Sequence, residues 1–597
     1  MRYVRLVSTS KRWLPGLLPL CAALTLGCHG EVGQVTGGAG SGGPGTGGTG
    51  NSTAACAGPS DSRMVVAPQR LMLLTKSEVI NTVAYLINKA EADALVQSGM
   101  FDIKPETDRH FPPADGEEQN LNTGNITSFI NLGEHVSNYV AMNFTTLANC
   151  NPATDACAMT FLNRLATRAY RRQLTAEEQA RFTALYNKLR GQDVNCYTVT
   201  NTVEQAAGYA VWALLLTPQM TWRWEIGGTQ MSTAPAGVYL SDNELASQIS
   251  FFLTDGPPDD MLIAAATAGT LRANLASHVT RVLQTPASRT WLRHVMELYF
   301  LLNQLPASLV DMTKFPIFDT GLVNSMITES QMFLDNVLWG SNGKLNDILL
   351  SRTTFVNTRL AQQVYNIPVP SGATLDTFMQ ATLPADQRAG ILTNAGFLTA
   401  RSRSDGQDLI SRGKTVKAAF LCLISSPPTD PNLQAQVALA ATTLDQQTGQ
   451  EQAASRNMVP VCRGCHSSFD QYGLALEFYD AVGAYRTNYS YLPGMPTIDG
   501  TTTLPTDLGG ATIHNAVELA QNLASSPTFI NCLSKSMLQY AMTELNAYVE
   551  LPLPPTQPGC AAADVVQRYQ SGSSQTFTGL VTAVTQSPAF TIRKAAP

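Results

Sequence analysis

Charged side chains are scarce in this sequence of 597 residues. Asp, Glu, Lys and Arg supply 14% of the chain, where about a quarter is usual, and the formal net charge is −6. Such a composition offers no basic surface for a nucleic acid. Glycine-rich phosphate loops, nucleophile elbows and zinc-protease histidine pairs are missing as well. The chain therefore lacks the signatures of the common nucleotide-binding and hydrolytic enzymes, while its 44% apolar content predicts a globular body.

One short stretch carries recognisable chemistry: Cys462-Arg463-Gly464-Cys465-His466. Two thiols separated by two residues, with a histidine directly after them, match the requirement of a c-type haem. Each sulfur adds to one vinyl group, and the imidazole binds the iron. We therefore expect covalent haem c at Cys462 and Cys465, with His466 as the proximal iron ligand. Half of a zinc site and a thioredoxin-like dithiol are the alternatives.

The sixth position on the iron decides between electron transfer and catalysis. A methionine there raises the reduction potential and closes the iron, whereas an open position can bind a small ligand. Met495 lies in a loop-like stretch after the motif and is the first candidate for the distal iron ligand. The competing candidates are Met458, Met537, Met542 and His514.

The first 66 residues have the composition of an export signal and a tether. Basic residues precede an apolar run from Trp13 to Gly27, which is too short to span a bilayer as a mature helix. We predict a lipoprotein-type signal peptide over residues 1–27 and a Gly/Ser/Thr-rich tether over 28–66. Residues 24–28 resemble the bacterial lipoprotein cleavage box, which implies lipidation of Cys28 and a place in the bacterial cell envelope, periplasmic or at the outer surface. Plain secretion is the alternative.

Seven of the 11 cysteines remain once Cys21, Cys28 and the motif pair are set aside. In an exported protein these are expected to form disulfides. Two pairs look local. Cys150 with Cys157 would close a short loop, and Cys532 with Cys560 would tie a helix to the proline-rich segment after it. Since seven is odd, at least one thiol should stay free or pair between chains.

The body of the chain is predicted to be helical nearly throughout. Thr175 to Glu178 and Ser241 to Glu244 form capping boxes, apolar residues recur at helical spacing, and strand-like alternation is scarce. The predicted fold class is mainly α, with several successive helical subdomains that include a cytochrome c-like module, and with short strands allowed near residues 485–504. The expected modules cover residues 67–150, 151–200, 201–340, 341–490 (with the motif) and 491–597.

These landmarks resemble the multidomain proteins of planctomycetes and myxobacteria, in which domains of unknown function accompany a planctomycete-type cytochrome c module. The resemblance is carried by residues 71–86, 161–175, 214–218, 240–260, 412–414, 462–486, 498–500 and 529–540. It is most specific at the cytochrome module, where it implies haem ligation by Cys462, Cys465 and His466. One departure is Gln471, which stands where the family usually has proline in an Asp-Pro-x-Gly turn.

We therefore expect an exported, lipid-anchored monohaem c-type cytochrome. It would pass electrons to or from a redox partner protein or a small extracellular substrate, touch the membrane through its lipid, and bind no nucleic acid. Two alternatives stay open. One is a haem-dependent oxidase or peroxidase acting on an extracellular substrate, and the other is a surface binding or scaffold protein.

Overall fold

Helices make up most of the structure, a computed structural model that describes residues 56, 58, 61–65, 67–99, 101–103, 123–191, 200–308, 310–340, 343–404, 406–423, 447–542, 559–572 and 574–595. This confirms the mainly α fold class. The predicted signal peptide, Cys28 and most of the tether lie outside the described residues. None of the helices within them is both long and apolar enough to cross a membrane.

In chain order the helices of the N-terminal half are α1 (Lys76–Leu86), α2 (Lys89–Ser98), α3 (Thr123–Ala148), α4 (Asp155–Tyr170), α5 (Ala176–Leu189), α6 (Val203–Leu215), α7 (Pro218–Thr221), α8 (Asp242–Thr254), α9 (Asp260–Thr267), α10 (Leu275–Leu283) and α11 (Pro286–Tyr299). Those of the C-terminal half are α12 (Thr320–Trp339), α13 (Asp347–Leu350), α14 (Thr358–Gln363), α15 (Ala395–Thr399), α16 (Leu409–Leu421), α17 (Gly449–Met458), α18 (Pro460–His466), α19 (Asp470–Ala475), α20 (Ala516–Ser525), α21 (Pro527–Met542), α22 (Cys560–Ser571), α23 (Phe577–Thr585) and α24 (Pro588–Thr591).

Helix starts follow the capping signals of the sequence. Thr175 and Glu178 form a reciprocal capping box at α5, and Ser241 and Glu244 form one at α8. Asp259 caps α9 by accepting a hydrogen bond from the amide of Leu262. These caps satisfy first-turn amides that have no partner within the helix.

The strands are short and antiparallel, and several join distant parts of the chain. β1 (Arg70–Leu73) pairs with β2 (Trp222–Glu225), and β4 (Ala236–Tyr239) lies between β3 (Met231–Thr233) and β11 (Ile592–Arg593). The remaining pairs are β5 (Thr353–Val356) with β6 (Met379–Thr382), β7 (Ser402–Arg403) with β8 (Gly406–Gln407), and β9 (Thr502–Thr503) with β10 (Thr512–Ile513). Through β11, the last described residues pair with a strand more than 350 residues earlier in the chain, at Ala236–Tyr239.

Two large apolar clusters hold the helices together. The first unites α8, α10–α12, α16 and α20–α23, and includes residues from Ala67 to Phe590. The second packs α1 to α6 around residues such as Leu132, Leu165 and Val211. The first cluster contains side chains from α16 and α19 as well as from earlier and later helices. Their burial therefore stabilises the packing of α16 and α19 on the rest of the protein.

A buried ionic cluster fastens β11 to β2. Glu225 and Arg593 are fully buried, and Nη2 of Arg593 lies 2.7 Å from Oε2 of Glu225. Arg70 Nε donates to the same oxygen at 2.8 Å, and Arg223 lies 3.3 Å from the other. Burial alone would raise the pKa of Glu225, but the three arginine charges outweigh it and hold that pKa well below its usual range. The carboxylate is therefore ionised, and the three guanidinium groups compensate its negative charge.

Three disulfides connect the described cysteines outside the motif. Cys150 pairs with Cys157, in agreement with the sequence prediction. The predicted pair of Cys532 with Cys560 is wrong: Cys532 bonds Cys422, and Cys560 bonds Cys56. The helices explain the difference.

Cys532 is buried on α21, which packs on α16, and Cys422 is the residue that caps α16. Cys560 begins α22, which packs on the turn at Ser62–Met64 close to Cys56. Asp61 lies beside the sulfur of Cys560, but both sulfurs there belong to the disulfide and are not free to bind a metal ion. Cys196 lies outside the described residues.

Candidate haem site

The five-residue motif forms the end of α18, a short helix that follows α17 directly. Val459 closes α17 and also precedes α18, and Pro460 occupies the first helical position, where its missing amide proton costs nothing. Cys462, Cys465 and His466 stand at positions i, i+3 and i+4, so helical geometry puts them on one face. Cys465 is exposed and Cys462 is half-buried. The local fold therefore presents both thiols and the imidazole together.

Both motif sulfurs are unpaired. Of the cysteines in the described residues, only Cys462 and Cys465 stand outside disulfides. Thiols in this state are what addition to two vinyl groups requires. Neither of the alternatives drawn from the sequence is favoured: the described residues bring no further soft ligands to the motif, and the motif does not lie on a βαβ unit.

A buried aspartate fixes the orientation of His466. Nδ1 of His466 lies 3.0 Å from Oδ1 of Asp470, and the Asp470 side chain is 2% exposed. Since a carboxylate can only accept, this contact requires the proton to sit on Nδ1. In the neutral imidazole, Nε2 is then left with its lone pair available for a metal. The ring also packs on Phe469, with the two ring centroids 4.8 Å apart.

Arg456 holds the other oxygen of Asp470. Its Nε donates to Oδ2 at 2.9 Å, from a position in the last turn of α17. The arginine is 8% exposed, and its two terminal nitrogens Nη1 and Nη2 are buried without a hydrogen-bond partner. A buried guanidinium with two vacant donor groups is costly unless an acceptor reaches it. A haem carries propionate carboxylates, so this donor set fits the cofactor that the motif implies.

The helix that carries Asp470 is locked against α16. A Cβ atom at Gly413 would overlap the carbonyl oxygen of Phe469, and one at Gly473 would overlap that of Leu409. Only glycine allows α16 and α19 to approach this closely. The backbones are in direct contact at these two points, which holds Asp470 in place relative to α16.

Arg412 completes this support from α16. It is fully buried, and its guanidinium donates to the carbonyl oxygens of Tyr479 and Asp480, both at 2.6 Å. These bonds satisfy backbone acceptors in the chain that follows α19. Arg412 and Gly413, two of the residues that carry the resemblance, thus each have a structural role.

Gln471 does not disturb the turn into α19. It occupies the second position of that helix, where a backbone amide has no partner within the helix and where proline is also tolerated. Its side-chain amide donates to the carbonyl of Ser467. The helix therefore forms with glutamine at the position where the resemblance led us to expect proline.

The distal candidates lie in different surroundings. Met495 is 60% exposed, in a loop closed by a bridge between Asn488 and Thr497, and has a left-handed backbone with φ of 44°. Met458 is still more exposed, at the end of α17. Met537 and Met542 are buried in the first apolar cluster, where a thioether serves packing. Met495 as distal ligand stays a prediction.

His514, the remaining distal candidate, contacts a carboxylate through Nδ1 and stays a prediction. Its Nδ1 lies 3.0 Å from Oε2 of Glu518, and the same oxygen accepts the backbone amide of His514 at 2.8 Å. The side chain of His514 is 61% exposed and that of Glu518 is 37% exposed. This contact belongs to the start of α20, with Asn515 as its cap.

Three cavities lie away from the motif. One of about 220 Å³ lies between Arg172 and Glu244, and two of about 650 and 600 Å³ share Arg289 and Trp339. None of the three is lined by residues 456–470. The motif itself lies at the surface of the described chain, where Arg463, Gly464, Cys465 and Ser467 are exposed.

The aspartate and the arginine are the residues that sequence reasoning missed. Asp470 follows His466 by four positions, which is the spacing of a side-chain pair on a helix and could have been noticed. Arg456 has no such signal, because it reaches the site only through the packing of α17 on α19.

Three family models match the chain in succession. Residues 157–225 match PSD5, a protein of unknown function (DUF1595), residues 240–367 match PSD4, a protein of unknown function (DUF1592), and residues 388–489 match PSCyt3, a protein of unknown function (DUF1588). The PSCyt3 match contains the motif together with Arg456 and Asp470, and ends before Met495. No curated protein and no solved structure matches the chain.

Proposed function

Since the chain has the signature of the planctomycete-type multidomain proteins with a cytochrome c-like module, we propose that it is an exported monohaem c-type cytochrome that transfers electrons. The single observation that carries the proposal is the face of α18. Two free thiols and an imidazole with an available Nε2 stand there at the spacing that covalent haem attachment needs. Haem c, when bound, supplies a one-electron carrier.

The residues of the chain have separate tasks in this proposal. Cys462 and Cys465 hold the cofactor, His466 offers Nε2 to the iron, and Asp470 keeps the imidazole in that orientation. The exposed surface beside Cys465 lets a partner approach the edge of the site. A redox protein or a small extracellular substrate would exchange electrons there, and the helical modules would provide the docking surface.

Export is supported by the cysteines. Disulfides persist in oxidising compartments, and the three in the described residues suit a periplasmic or outer-surface protein. We propose that the signal over residues 1–27 directs export and that lipid on Cys28 anchors the protein through the tether. Replacing Cys28 with alanine should move the protein from the detergent phase to the aqueous phase in a phase-partition experiment. Retention in the detergent phase would contradict the anchor.

Covalent attachment is the decisive test. The protein is expressed with the cytochrome c maturation machinery, and haem is measured by its pyridine spectrum and by haem staining after denaturing electrophoresis. We expect one haem per chain in the wild type and none in a Cys462→Ser/Cys465→Ser double variant. A Cys150→Ser/Cys157→Ser variant is the matched control, because it removes two sulfurs elsewhere and should keep the haem. If the wild type carries no covalent haem, both haem-based functions are contradicted and the scaffold hypothesis remains.

A haem-dependent oxidase or peroxidase is the second candidate, and Asp470 is the observation that favours it. A carboxylate on the proximal imidazole would raise the donor strength of His466, which favours reaction with a bound small molecule. Cyanide added to the ferric protein separates the two. A spectrum that does not change indicates a closed iron and electron transfer, and a change that saturates with cyanide indicates an open site. Repeating the titration with Met495→Ala tests the distal ligand.

A further inference from the structure

The polar chain from His466 through Asp470 to Arg456 suggests a role beyond holding the fold. We propose that Asp470, fixed by Arg456, is a positioning residue that lowers the reduction potential of the haem. This inference rests on the proposed haem attachment. It concerns the strength of the proximal ligand, which attachment alone does not determine.

The geometry gives Asp470 a single orientation. Each of its oxygens has one charged or polar partner, with Nδ1 of His466 at 3.0 Å and Nε of Arg456 at 2.9 Å. The side chain is buried, and α19 is locked on α16 through Gly413 and Gly473. A buried carboxylate between two donors in fixed positions cannot turn away from the imidazole without leaving one of them unsatisfied.

Arg456 holds Asp470 against the imidazole. Its Nε occupies Oδ2 of Asp470 at 2.9 Å, so Oδ1 stays directed at Nδ1 of His466 at 3.0 Å. A carboxylate in this salt bridge is a stronger acceptor for the Nδ1 proton than a neutral amide. The imidazole then gives more electron density through Nε2, which stabilises the oxidised iron more than the reduced iron.

Replacing Asp470 with asparagine tests this inference. Asparagine has nearly the same shape and can still accept the Nδ1 proton through its amide oxygen, but it carries no charge. Redox titration of the holoprotein, followed in the visible spectrum, gives the potential. We expect the equilibrium to shift at least tenfold toward the reduced form, which is a rise of about 59 mV for a one-electron couple. An unchanged potential in a variant with covalent haem would overturn the inference.

Glu518 supplies the matched control. It contacts Nδ1 of His514 at the same 3.0 Å and the same spacing of four residues, but the side chains of this pair are 61% and 37% exposed. Glu518→Gln removes the same charge and should leave the potential where it is in the wild type. An equal rise in this variant would show that loss of any nearby negative charge has the effect, and would also overturn the inference.

A measurement on the unaltered protein covers the case in which Asp470→Asn fails to fold. The Nδ1 proton of His466 should give a proton resonance shifted by the ferric iron. Because the proton is held by a buried carboxylate, this resonance should persist after transfer to D2O. Immediate loss of the signal would contradict the inference. Absence of covalent haem in the wild type would instead contradict the proposed function, so the two failures are distinguishable.

Discussion

Two histidine–carboxylate pairs in this molecule have the same spacing and the same contact distance but different surroundings. His466 with Asp470 and His514 with Glu518 are both four residues apart, and in both Nδ1 lies 3.0 Å from a carboxylate oxygen. The side chains of the first pair are 17% and 2% exposed, and those of the second 61% and 37%. The first is backed by the buried Arg456, whereas the second lies at the start of α20, which Asn515 caps. Burial and the third partner, which spacing does not reveal, separate a candidate ligand site from a helix start.

The largest expected effect separates the two histidines. His466→Ala removes the ring that would bind the iron, so the spectrum of a histidine-ligated haem should be lost even where the thioethers still form. His514→Ala should keep that spectrum, because His514 lies outside the motif helix and its side chain is 61% exposed at the start of α20. Visible spectra of the two purified variants check this. Loss of the histidine-ligated spectrum in the second variant would make His514 a ligand and break the distinction.

The two carboxylates should differ in their contribution to stability. Asp470→Ala leaves Arg456 buried without its counter-charge, and removal of one partner of a buried pair costs about 3–5 kcal/mol. Urea unfolding followed by circular dichroism measures the loss. A loss below 1 kcal/mol would mean that water compensates the charge of Arg456 in the variant, and would contradict a buried ion pair at this site.

A third carboxylate extends the series, because Glu329 is buried with two hydroxyl partners and the charge of Arg388 only partly offsets the effect of burial. It accepts hydrogen bonds from Thr354 and Tyr365, and burial raises its pKa to about 7 from an ordinary value of 4.5. The folded protein therefore binds a proton more tightly than the unfolded chain. Its contribution to stability is complete below pH 4.5 and is lost as the pH rises through 7, by about 3 kcal/mol in total.

Glu329→Gln tests this pH dependence. Glutamine keeps the acceptor oxygen but cannot ionise, so the loss of stability between pH 4.5 and 7 should become smaller by that amount. Urea unfolding at several pH values measures it in both proteins. An identical pH profile for the wild type and the variant would show that Glu329 does not titrate in this range.

The smallest effect is expected at the exposed pair. Glu518→Ala removes a first-turn acidic residue and a solvent-screened contact, which together contribute roughly 0.5–1 kcal/mol. Differential scanning calorimetry of Glu518→Ala and Asp470→Ala under the same conditions compares the losses of stability in the two variants. Equal losses would show that burial does not distinguish the two pairs.

Local features of the fold were predictable because they depend on neighbouring residues. The capping boxes at Thr175 and Ser241, the helical fold class and the Cys150–Cys157 disulfide all follow from short sequence patterns. The partner of Cys560 was not predictable, because Cys56 lies 504 residues away and only the docking of α22 brings the two together.

The candidate site divides in the same way. The cysteines and His466 follow from five consecutive residues, but Arg456 reaches Asp470 from another helix. Its role depends on burial and on the vacant donors Nη1 and Nη2, which are properties of the packed structure. Sequence patterns therefore identify the covalent attachment point more readily than the residues that determine its chemistry.

The Cys56–Cys560 disulfide has a mechanical consequence. A force applied to the chain upstream of Cys56 enters the folded body at the sulfur of Cys560 and passes into α22, which packs within the first apolar cluster. Strand β1 and helix α1, which follow Cys56 in sequence, are bypassed and cannot be peeled away one hydrogen bond at a time. If the N-terminal segment is held to a surface, a pulling force therefore acts on the disulfide and on the helices packed around α22 rather than on β1 and α1.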